Sequence, residues 1–343
     1  MAPRRLFLAV AALVAAFALA APFSPPLRAQ SQSPDVWLNI LGGPAKKINI
    51  AVPDFTLVTP DAQDLGKRLP EVVNRDLTFS ALFSVVSGAP ALPANNPAAL
   101  KEALAAFAGA GAHAALQGLV SMQGGRALLE MRLYSLITQD QQLIVSKKFE
   151  MPVEQSRRLA HKAADEVVLQ FTGEAGVADT KVAYVNSSSG NKEVYMMDYD
   201  GAGAARLTSN QSINLSPSWS PDLRSLAFTS YMGSGYPFMY RLFPFEKRPI
   251  QLLAGYRGIN TSPAWSPDGR LLALTLSKDG NPEIYLMTLA TGALRRLTTF
   301  GGIDTEPTWS PTGREIAFIS DRSGSAQVYV MDAEGANVRR LTQ

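Results

Sequence analysis

The sequence is short of the residue types on which several chemistries depend. It has no cysteine and only two histidines among 343 residues. Without cysteine, a disulfide framework and a lipid-modified amino-terminal cysteine are both excluded. With His113 and His161 as the only imidazoles, a zinc site would need carboxylates from elsewhere in the fold. We therefore expect no metal ion, and we interpret both histidines as packed or surface side chains.

Motifs that mark a cofactor or a nucleophile are also missing. No Gly-x-Ser-x-Gly occurs, so the nucleophile of an α/β-hydrolase is not encoded in these residues. Gly109-x-Gly111 lacks the third glycine of a dinucleotide fingerprint and lies between a predicted helix and a predicted strand, so we interpret it as a plain connection. We expect no cofactor and no catalytic residue.

A strong excess of positive charge is confined to the amino terminus. The formal net charge is +3, and Arg4 and Arg5 contribute two of those charges. The chain after them has no cluster of Lys and Arg interleaved with aromatic residues. Nucleic acid is therefore not an expected partner.

The amino terminus has the pattern of an export signal. Arg4 and Arg5 precede an uninterrupted apolar run from Leu6 to Ala21, with small residues near its end. This arrangement is typical of a secretory signal peptide, and we assign residues 1–29 to a signal peptide and spacer. A retained membrane anchor remains an alternative, because the run is close to the minimum for a spanning helix.

Residues 30–173 have a mixed pattern that is typical of a small α/β domain. Helical spacing of apolar residues predicts helices over 65–82, 97–108 and 153–171. Apolar or alternating runs predict strands over 48–55, 83–87, 112–122, 126–136 and 142–149.

Residues 174–343 contain a repeat of about 45 residues. One set of markers is Trp219, Trp265 and Trp309. A second set recurs at matching intervals, at Tyr195, Tyr240, Tyr285 and Tyr329. Apolar runs broken by Ser-Pro-Asp-Gly turns are typical of the four-stranded blades of a β-propeller. One blade cannot bury its faces alone, so the repetition is a requirement for folding.

The strand pattern predicts three complete blades and three strands of a fourth, because no Trp-Ser-Pro strand precedes Lys181. We expect either a longer functional form or an irregular or intermolecular closure of the ring. Asp222 and Asp268 are interpreted as turn formers rather than catalytic acids. Leu223 stands where the other copies have glycine, so we expect that turn to differ in geometry.

Polar residues recur just ahead of each Trp-Ser-Pro strand, where we expect loops that enter the innermost strands at the mouth of the central channel. They cap strand ends or form a site for a partner or ligand, and we favour the second interpretation. The candidate residues are Asn214, Ser216, Asn260, Thr261, Ser262, Asp304, Thr305 and Glu306.

A second candidate site lies close to the predicted cleavage point. Residues Asp35, Val36, Trp37, Leu38, Asn39 and Ile40 form a short β-prone segment followed by Gly42 and Gly43. The segment is either an edge strand of its own domain or a mobile strand that pairs with a partner by strand addition.

These features together resemble the TolB family, the periplasmic component of the Tol-Pal system of Gram-negative envelopes. The resemblance rests on INIAVPDF, RRLAHKAADEVV, TKVAYVN, DYDGAGAARLT and the WSPDG repeats, and it covers nearly the whole chain after the signal peptide. It implies a six-bladed propeller, with about four blades present here. It also implies that the channel-mouth residues bind the peptidoglycan-associated lipoprotein Pal and that Asp35 to Ile40 bind TolA.

The function that follows is a non-enzymatic periplasmic adaptor that supports outer-membrane integrity and envelope constriction at cell division. We expect a monomer that reaches membranes only through its partners. Two other hypotheses stay open: the propeller domain of a secreted S9-type peptidase, and a propeller that binds a small ligand.

Overall fold

The structure is a computed structural model that describes residues 47–62, 64–86, 91–137 and 140–343. These residues belong to one compact unit, Gly42–Gln343. Within these ranges, no helix combines the length and the apolar character needed to cross a membrane. The predicted signal peptide and the predicted binding segment from Asp35 to Ile40 lie outside the described residues.

The first part of the unit is a mixed sheet with helices on both faces. Its elements are β1 (Ile48–Ala51), β2 (Thr56–Leu57), α1 (Leu65–Phe79), β3 (Phe83–Val86), α2 (Pro97–Gly109), β4 (Ala114–Gln123), β5 (Arg126–Ser135), β6 (Leu143–Pro152) and α3 (Ser156–Thr172). The strand order is β3-β1-β4-β5-β6, with β2 beside β4. β1 is parallel to β3 and β4, whereas β4, β5 and β6 are antiparallel.

Successive side chains of a strand point to opposite faces of the sheet, so they pack in two separate cores. Ile50 packs with α1 and α3 on one face, where Leu69 and Leu159 are fully buried. Its neighbour Ala51 packs on the other face with Leu104 of α2. The prediction of one strand over 48–55 is wrong in its second half: β1 ends at Ala51, two residues before Pro53, which has no N–H for the ladder.

The second part consists of the predicted propeller sheets. A three-stranded sheet contains β7 (Lys181–Asn186), β8 (Glu193–Asp198) and β9 (Ala205–Arg206). Three four-stranded sheets follow: β10 (Asn214–Trp219), β11 (Leu226–Ser230), β12 (Phe238–Leu242) and β13 (Gln251–Ala254); β14 (Asn260–Trp265), β15 (Leu271–Leu276), β16 (Glu283–Thr288) and β17 (Leu294–Arg296); β18 (Asp304–Trp309), β19 (Glu315–Ser320), β20 (Gln327–Asp332) and β21 (Arg339–Arg340). The predicted fold class, with three complete blades and three strands of another, is confirmed.

The repeated tryptophan links each sheet to the one before it. Trp265 is buried among side chains from its own and the preceding sheet, including Met239. Its indole Nε1 donates a hydrogen bond to the Ser218 carbonyl at 3.0 Å, and Trp309 Nε1 donates in the same way to Ala264 at 3.1 Å. Trp219 Nε1 is buried without an acceptor among the described residues. The predicted wedge between blades is therefore confirmed, and one of its three copies lacks the hydrogen bond.

The Ser-Pro-x-x turns share one geometry. Leu223, Gly269 and Gly313 all have left-handed backbones, with φ of 59°, 69° and 69°. The N–H of each donates to the carbonyl of the serine three residues earlier, at 2.8 to 2.9 Å. The expectation that the Leu223 turn differs is wrong, because the surrounding strands hold this leucine in the conformation that glycine adopts more easily.

The tryptophan bond can be tested by comparing two matched substitutions. Trp265→Phe removes a satisfied donor and leaves the Ser218 carbonyl without it, whereas Trp219→Phe removes a donor that has no acceptor. We expect Trp265→Phe to lower the free energy of unfolding by about 2 kcal/mol more than Trp219→Phe does. Urea unfolding followed by circular dichroism measures both, and equal losses would contradict this role of the indole bond.

Candidate functional site

Three polar residues begin the innermost strands at equivalent positions. Asn214, Asn260 and Asp304 are each fully buried, with 0% exposure. The structure places them on strands, not in the loops that we expected, because their backbone N–H groups donate to carbonyls of the preceding sheet, at Lys192, Pro237 and Pro282 respectively.

Their side chains are held by the chain itself. The Asn214 amide donates to the Lys192 carbonyl at 2.8 Å, and the Asn260 amide donates to Tyr256 O at 2.7 Å. Asp304 accepts a hydrogen bond from Arg322 at 2.9 Å. Burial and pairing give these residues a strand-capping role, and their role as partner contacts stays a prediction.

The residue two positions further along each innermost strand has a left-handed backbone. Ser216, Ser262 and Glu306 have φ of 51°, 56° and 54°, and each lies where the register of pairing to the next strand shifts. For a residue with a side chain this conformation costs about 1–2 kcal/mol. Ser216 and Glu306 are exposed and Ser262 is half-buried, so the strained bulge presents polar groups at the surface.

The remaining predicted residues, Thr261 and Thr305, are half-buried between neighbouring strands. The Thr305 hydroxyl lies 3.3 Å from that of Thr275 in the preceding sheet, and the Thr261 hydroxyl lies 3.3 Å from that of Ser262. The innermost strands β10, β14 and β18 are in contact with one another in turn. The structure thus brings the eight predicted residues to one end of three adjacent strands.

A row of exposed isoleucines accompanies them. Ile213, Ile259 and Ile303 precede the innermost strands and are 46%, 38% and 50% exposed. Their carbonyls accept equivalent backbone hydrogen bonds from Tyr231, Ser277 and Asp321. The recurrence of isoleucine at one repeat position is visible in the sequence. Its exposure is not, because isoleucine is among the residues most often buried.

A second cluster joins α3 to the first propeller sheet. The Arg157 guanidinium donates to both carboxylate oxygens of Asp200 at 2.7 and 2.8 Å and to Asp198 at 3.2 Å. Lys181 also pairs with Asp198. Burial raises the pKa of Asp200, but the hydrogen bonds and charge of Arg157 more than offset it, so this pKa lies below its usual value.

His161 lies in the same cluster and is only 3% exposed. Its Nδ1 is 2.7 Å from Asp76 Oδ2 on α1. Burial lowers the pKa of His161, but the hydrogen bond and the charge of Asp76 outweigh burial and raise that pKa above its ordinary value. The interpretation of His161 as a packed histidine is confirmed.

The cluster contains donor atoms of the kind that bind metals. His161, Asp198 and Asp200 have potential ligand atoms within 4.8 Å of one another. The Arg157 guanidinium contacts both carboxylates and so supplies the positive charge that a cation would bring. The set therefore fits an interdomain ion-pair network. The sequence did not indicate this network, because its members lie as far apart in the chain as Asp76 and Asp200 and share no local motif.

The fold defines a class: a β-propeller protein with an appended amino-terminal α/β domain. Known proteins match this description. The TolB beta propeller domain matches residues 168–343 and the TolB amino-terminal domain matches residues 36–142. The chain belongs to the TolB family.

Individual relatives agree with this assignment. The chain is 35% identical over 258 residues to the Tol-Pal system protein TolB of Desulfosudis oleivorans, an alignment that covers 74% of this chain and 58% of the relative. It is 33% identical over 224 residues to the Tol-Pal system protein TolB of Roseobacter denitrificans, covering 64% of this chain and 50% of that one. The chain therefore spans about half the length of the curated relatives it matches.

A solved structure shows the same fold. The crystal structure of TolB from Acinetobacter baumannii aligns with a TM-score of 0.73 and 28% identity. The alignment covers 88% of this chain and 72% of that chain.

The interdomain cluster predicts a pH-dependent stability. Because the His161 pKa is raised by folding, its contribution is complete below the unfolded value of about 6.5 and is lost as pH rises through the folded value. We expect His161→Gln to lower the free energy of unfolding by about 2 kcal/mol at pH 6, with a smaller difference at higher pH. Urea titrations between pH 5 and 9 measure this.

A matched control comes from the same helix. Arg158 pairs with Asp179 at 2.9 Å but its side chain is 46% exposed. Because exposed ion pairs contribute little, we expect Arg158→Gln to cost less than about 1 kcal/mol. Stability profiles of wild type and His161→Gln that stay parallel over the whole pH range would contradict the assigned role of the histidine.

Proposed function

We propose that this protein is a non-enzymatic adaptor of the Tol-Pal system in the periplasm. In this role the ends of the innermost strands bind the peptidoglycan-associated lipoprotein Pal, and the segment Asp35 to Ile40 binds TolA. The adaptor would support outer-membrane integrity and constriction of the envelope at cell division. Its export would depend on the signal peptide assigned to residues 1–29.

The observation that carries the proposal is the row of Ile213, Ile259 and Ile303. Isolated exposed apolar residues are ordinary on protein surfaces, but three at one end of adjacent strands form a recurring apolar feature. Polar residues at the bulges of the innermost strands follow each isoleucine three positions later, including the exposed Glu306. An apolar centre with a polar rim is typical of a protein–protein interface.

An ion pair next to Ile303 in the sequence supports the proposal in a different way. Arg322 is bound to Asp304 and lies over the rings of Phe300, Phe318 and Tyr329 at 5.0 to 5.3 Å. These contacts fix the loops beside Ile303 before any partner arrives. A surface that is already ordered loses less conformational entropy on binding.

Membership of the family favours the adaptor over the two other hypotheses. The relatives are named as proteins of the Tol-Pal system, and the family accounts for both domains of this chain. The hypothesis of a peptidase propeller does not explain why the chain also matches the TolB amino-terminal domain. The assignment of Pal and TolA to particular surfaces rests on the resemblance and on the surfaces described above.

The isoleucine row can be tested directly. Replacing Ile259 and Ile303 together by aspartate would put two charges into the apolar centre of the surface. Because both side chains are substantially exposed, we expect folding to survive and the affinity for purified Pal to fall at least about tenfold. Isothermal titration calorimetry with soluble Pal measures the change.

Leu223 provides the matched control. It is 58% exposed and lies in the turn that follows the opposite end of β10. Leu223→Asp adds a charge to an exposed apolar residue away from the proposed surface, so Pal binding should be unchanged. If the isoleucine double variant binds as wild type does, the innermost-strand ends are not the Pal site.

The amino-terminal segment is tested by deletion. Removing residues 35–40 takes away the proposed TolA strand but none of the residues in the described ranges. We expect capture by immobilised TolA to be lost while Pal binding is retained. Retained TolA capture by the deletion variant would refute this assignment, and loss of both partners would indicate a folding defect instead.

A further inference from the structure

A small cavity lies where the α/β domain meets the first propeller sheet. Its volume is about 180 Å³, and it is lined by residues of α1 and α3, of the connection after α3 and of the turn after β8. The lining includes Asp76, Asp165, Val168, Val177 and Tyr199. Pockets for drug-sized ligands occupy about 300–1,000 Å³, so this cavity suits a smaller ligand.

Two carboxylates line the cavity, and one of them has a free oxygen. Asp76 is only 2% exposed; its Oδ2 lies 2.7 Å from His161 Nδ1, whereas its Oδ1 has no hydrogen-bond partner among the described residues. The two oxygens of Asp165 accept hydrogen bonds from the N–H groups of Ala178 and Asp179 at 2.6 and 3.0 Å, which hold that carboxylate in place. A buried carboxylate oxygen without a donor is costly, so a ligand that donates to Asp76 Oδ1 would be stabilised.

The charge of the cavity is negative. Within the described part of the chain, its lining contains no lysine or arginine. His161 adds at most one positive charge, and its Nε2 lies 3.9 Å from Asp198 Oδ2, so two carboxylates share that charge. Burial raises the pKa of Asp76, and the hydrogen bond and charge of His161 only partly offset this effect. Burial also raises the pKa of Tyr199, and the charges of Asp76 and Asp165 add to it.

Most of the remaining lining is apolar. Leu82, Val168 and Val177 contribute aliphatic side chains. The Tyr199 ring packs edge-on against Phe79 with their centroids 5.9 Å apart, and aromatic rings attract cations through their faces. The cavity thus combines an anionic end with walls that suit a short hydrocarbon chain.

We infer that this cavity binds a primary alkylammonium group, with its nitrogen between Asp76 and Asp165 and its hydrocarbon chain against Val168 and Val177. A primary ammonium has three N–H donors, which can serve the free Asp76 oxygen and the oxygens of Asp165 together. The ion pair would form in a partly enclosed site, where screening by water is weaker than at the surface. The site shares no residue with the surfaces proposed for Pal and TolA, so the two proposals are tested separately.

The experiment adds n-butylamine to the full chain at constant pH and ionic strength. We expect saturable binding with a dissociation constant of about 1 mM, which is attainable for a ligand of about five non-hydrogen atoms. Backbone amide chemical shifts measure the binding, and those of Gly176, Val177 and Ala178 should respond because these residues line the cavity. 1-Butanol has the same chain without the charge and should bind at least about tenfold more weakly.

The same ammonium chemistry occurs in free alkylamines and in lysine side chains of other proteins. Nα-acetyl-lysine amide carries the butylammonium chain on a peptide backbone and distinguishes these two sources. Binding as tight as that of n-butylamine would indicate a lysine of a partner protein. Binding at least about tenfold weaker would indicate a free amine, because the backbone is then excluded from the cavity. Both results support an ammonium site.

Variants of the chain locate the site. Asp76→Asn removes the charge beside the free oxygen and should weaken n-butylamine binding at least about tenfold. Val168→Lys puts an ammonium group of the chain itself into the cavity and should abolish binding. Gln170→Lys adds the same charge to α3 at a residue that does not line the cavity, so it should bind as wild type does. Circular dichroism shows whether each variant is folded, and Val168→Lys decides the matter if Asp76→Asn is not.

Three results would overturn the inference. The first is no saturation at about 10 mM n-butylamine, which is about ten times the expected dissociation constant. The second is equal binding of 1-butanol, since the carboxylates would then play no part. The third is unchanged affinity in the folded Val168→Lys variant, which would place any bound amine outside this cavity.

Discussion

The propeller depends on the seam between adjacent sheets. A single sheet of four short strands has two apolar faces, and neither can be buried within the sheet itself. The two seams between the four-stranded sheets are each closed by an indole that fills the space between the sheets and donates to a carbonyl of the previous innermost strand, as Trp265 and Trp309 do. The backbone of Asn214, Asn260 and Asp304 forms a second link at the other end of the same strands. The two seams between the four-stranded sheets are therefore held by hydrogen bonds at both ends, which restricts the positions of the residues between those ends.

That constraint explains how much of the fold the sequence could predict. The tryptophan and tyrosine markers repeat because each seam needs the same volume and the same hydrogen bond, so the number and order of strands were readable from spacing. The boundaries were less accessible: β1 stops at Ala51 because of Pro53, and Leu223 adopts a glycine-like backbone because its neighbours hold the turn. Pro53 is a local signal that the sequence already contained, whereas the left-handed backbone of Leu223 goes against the preference of its residue type.

The candidate site was predicted in position but not in composition. Polar residues at a fixed repeat position indicated the ends of the innermost strands, and the structure places all eight there. Which of them face solvent could not be predicted, because that depends on the bulge at Ser216, Ser262 and Glu306, a backbone conformation with no distinctive residue type. The interdomain cluster could not be predicted from the sequence for a related reason. Asp76 and His161 come into contact only when α1 and α3 pack side by side.

In the proposed adaptor, the buried residues of the site would serve stability and the exposed isoleucines would serve recognition. The buried side chains of Asn214, Asn260 and Asp304 each form at least one hydrogen bond within the chain, although Asp304 Oδ1 has no partner among the described residues. These bonds make the residues costly to rearrange and keep the strand ends in place. The isoleucines directly before them are partly exposed, so a partner that covered them would remove apolar surface from water. Binding energy would then come from residues whose positions are set by their neighbours. A surface built in this way can bind without folding first, so substitutions in the buried layer should act on stability and substitutions in the isoleucine row on affinity.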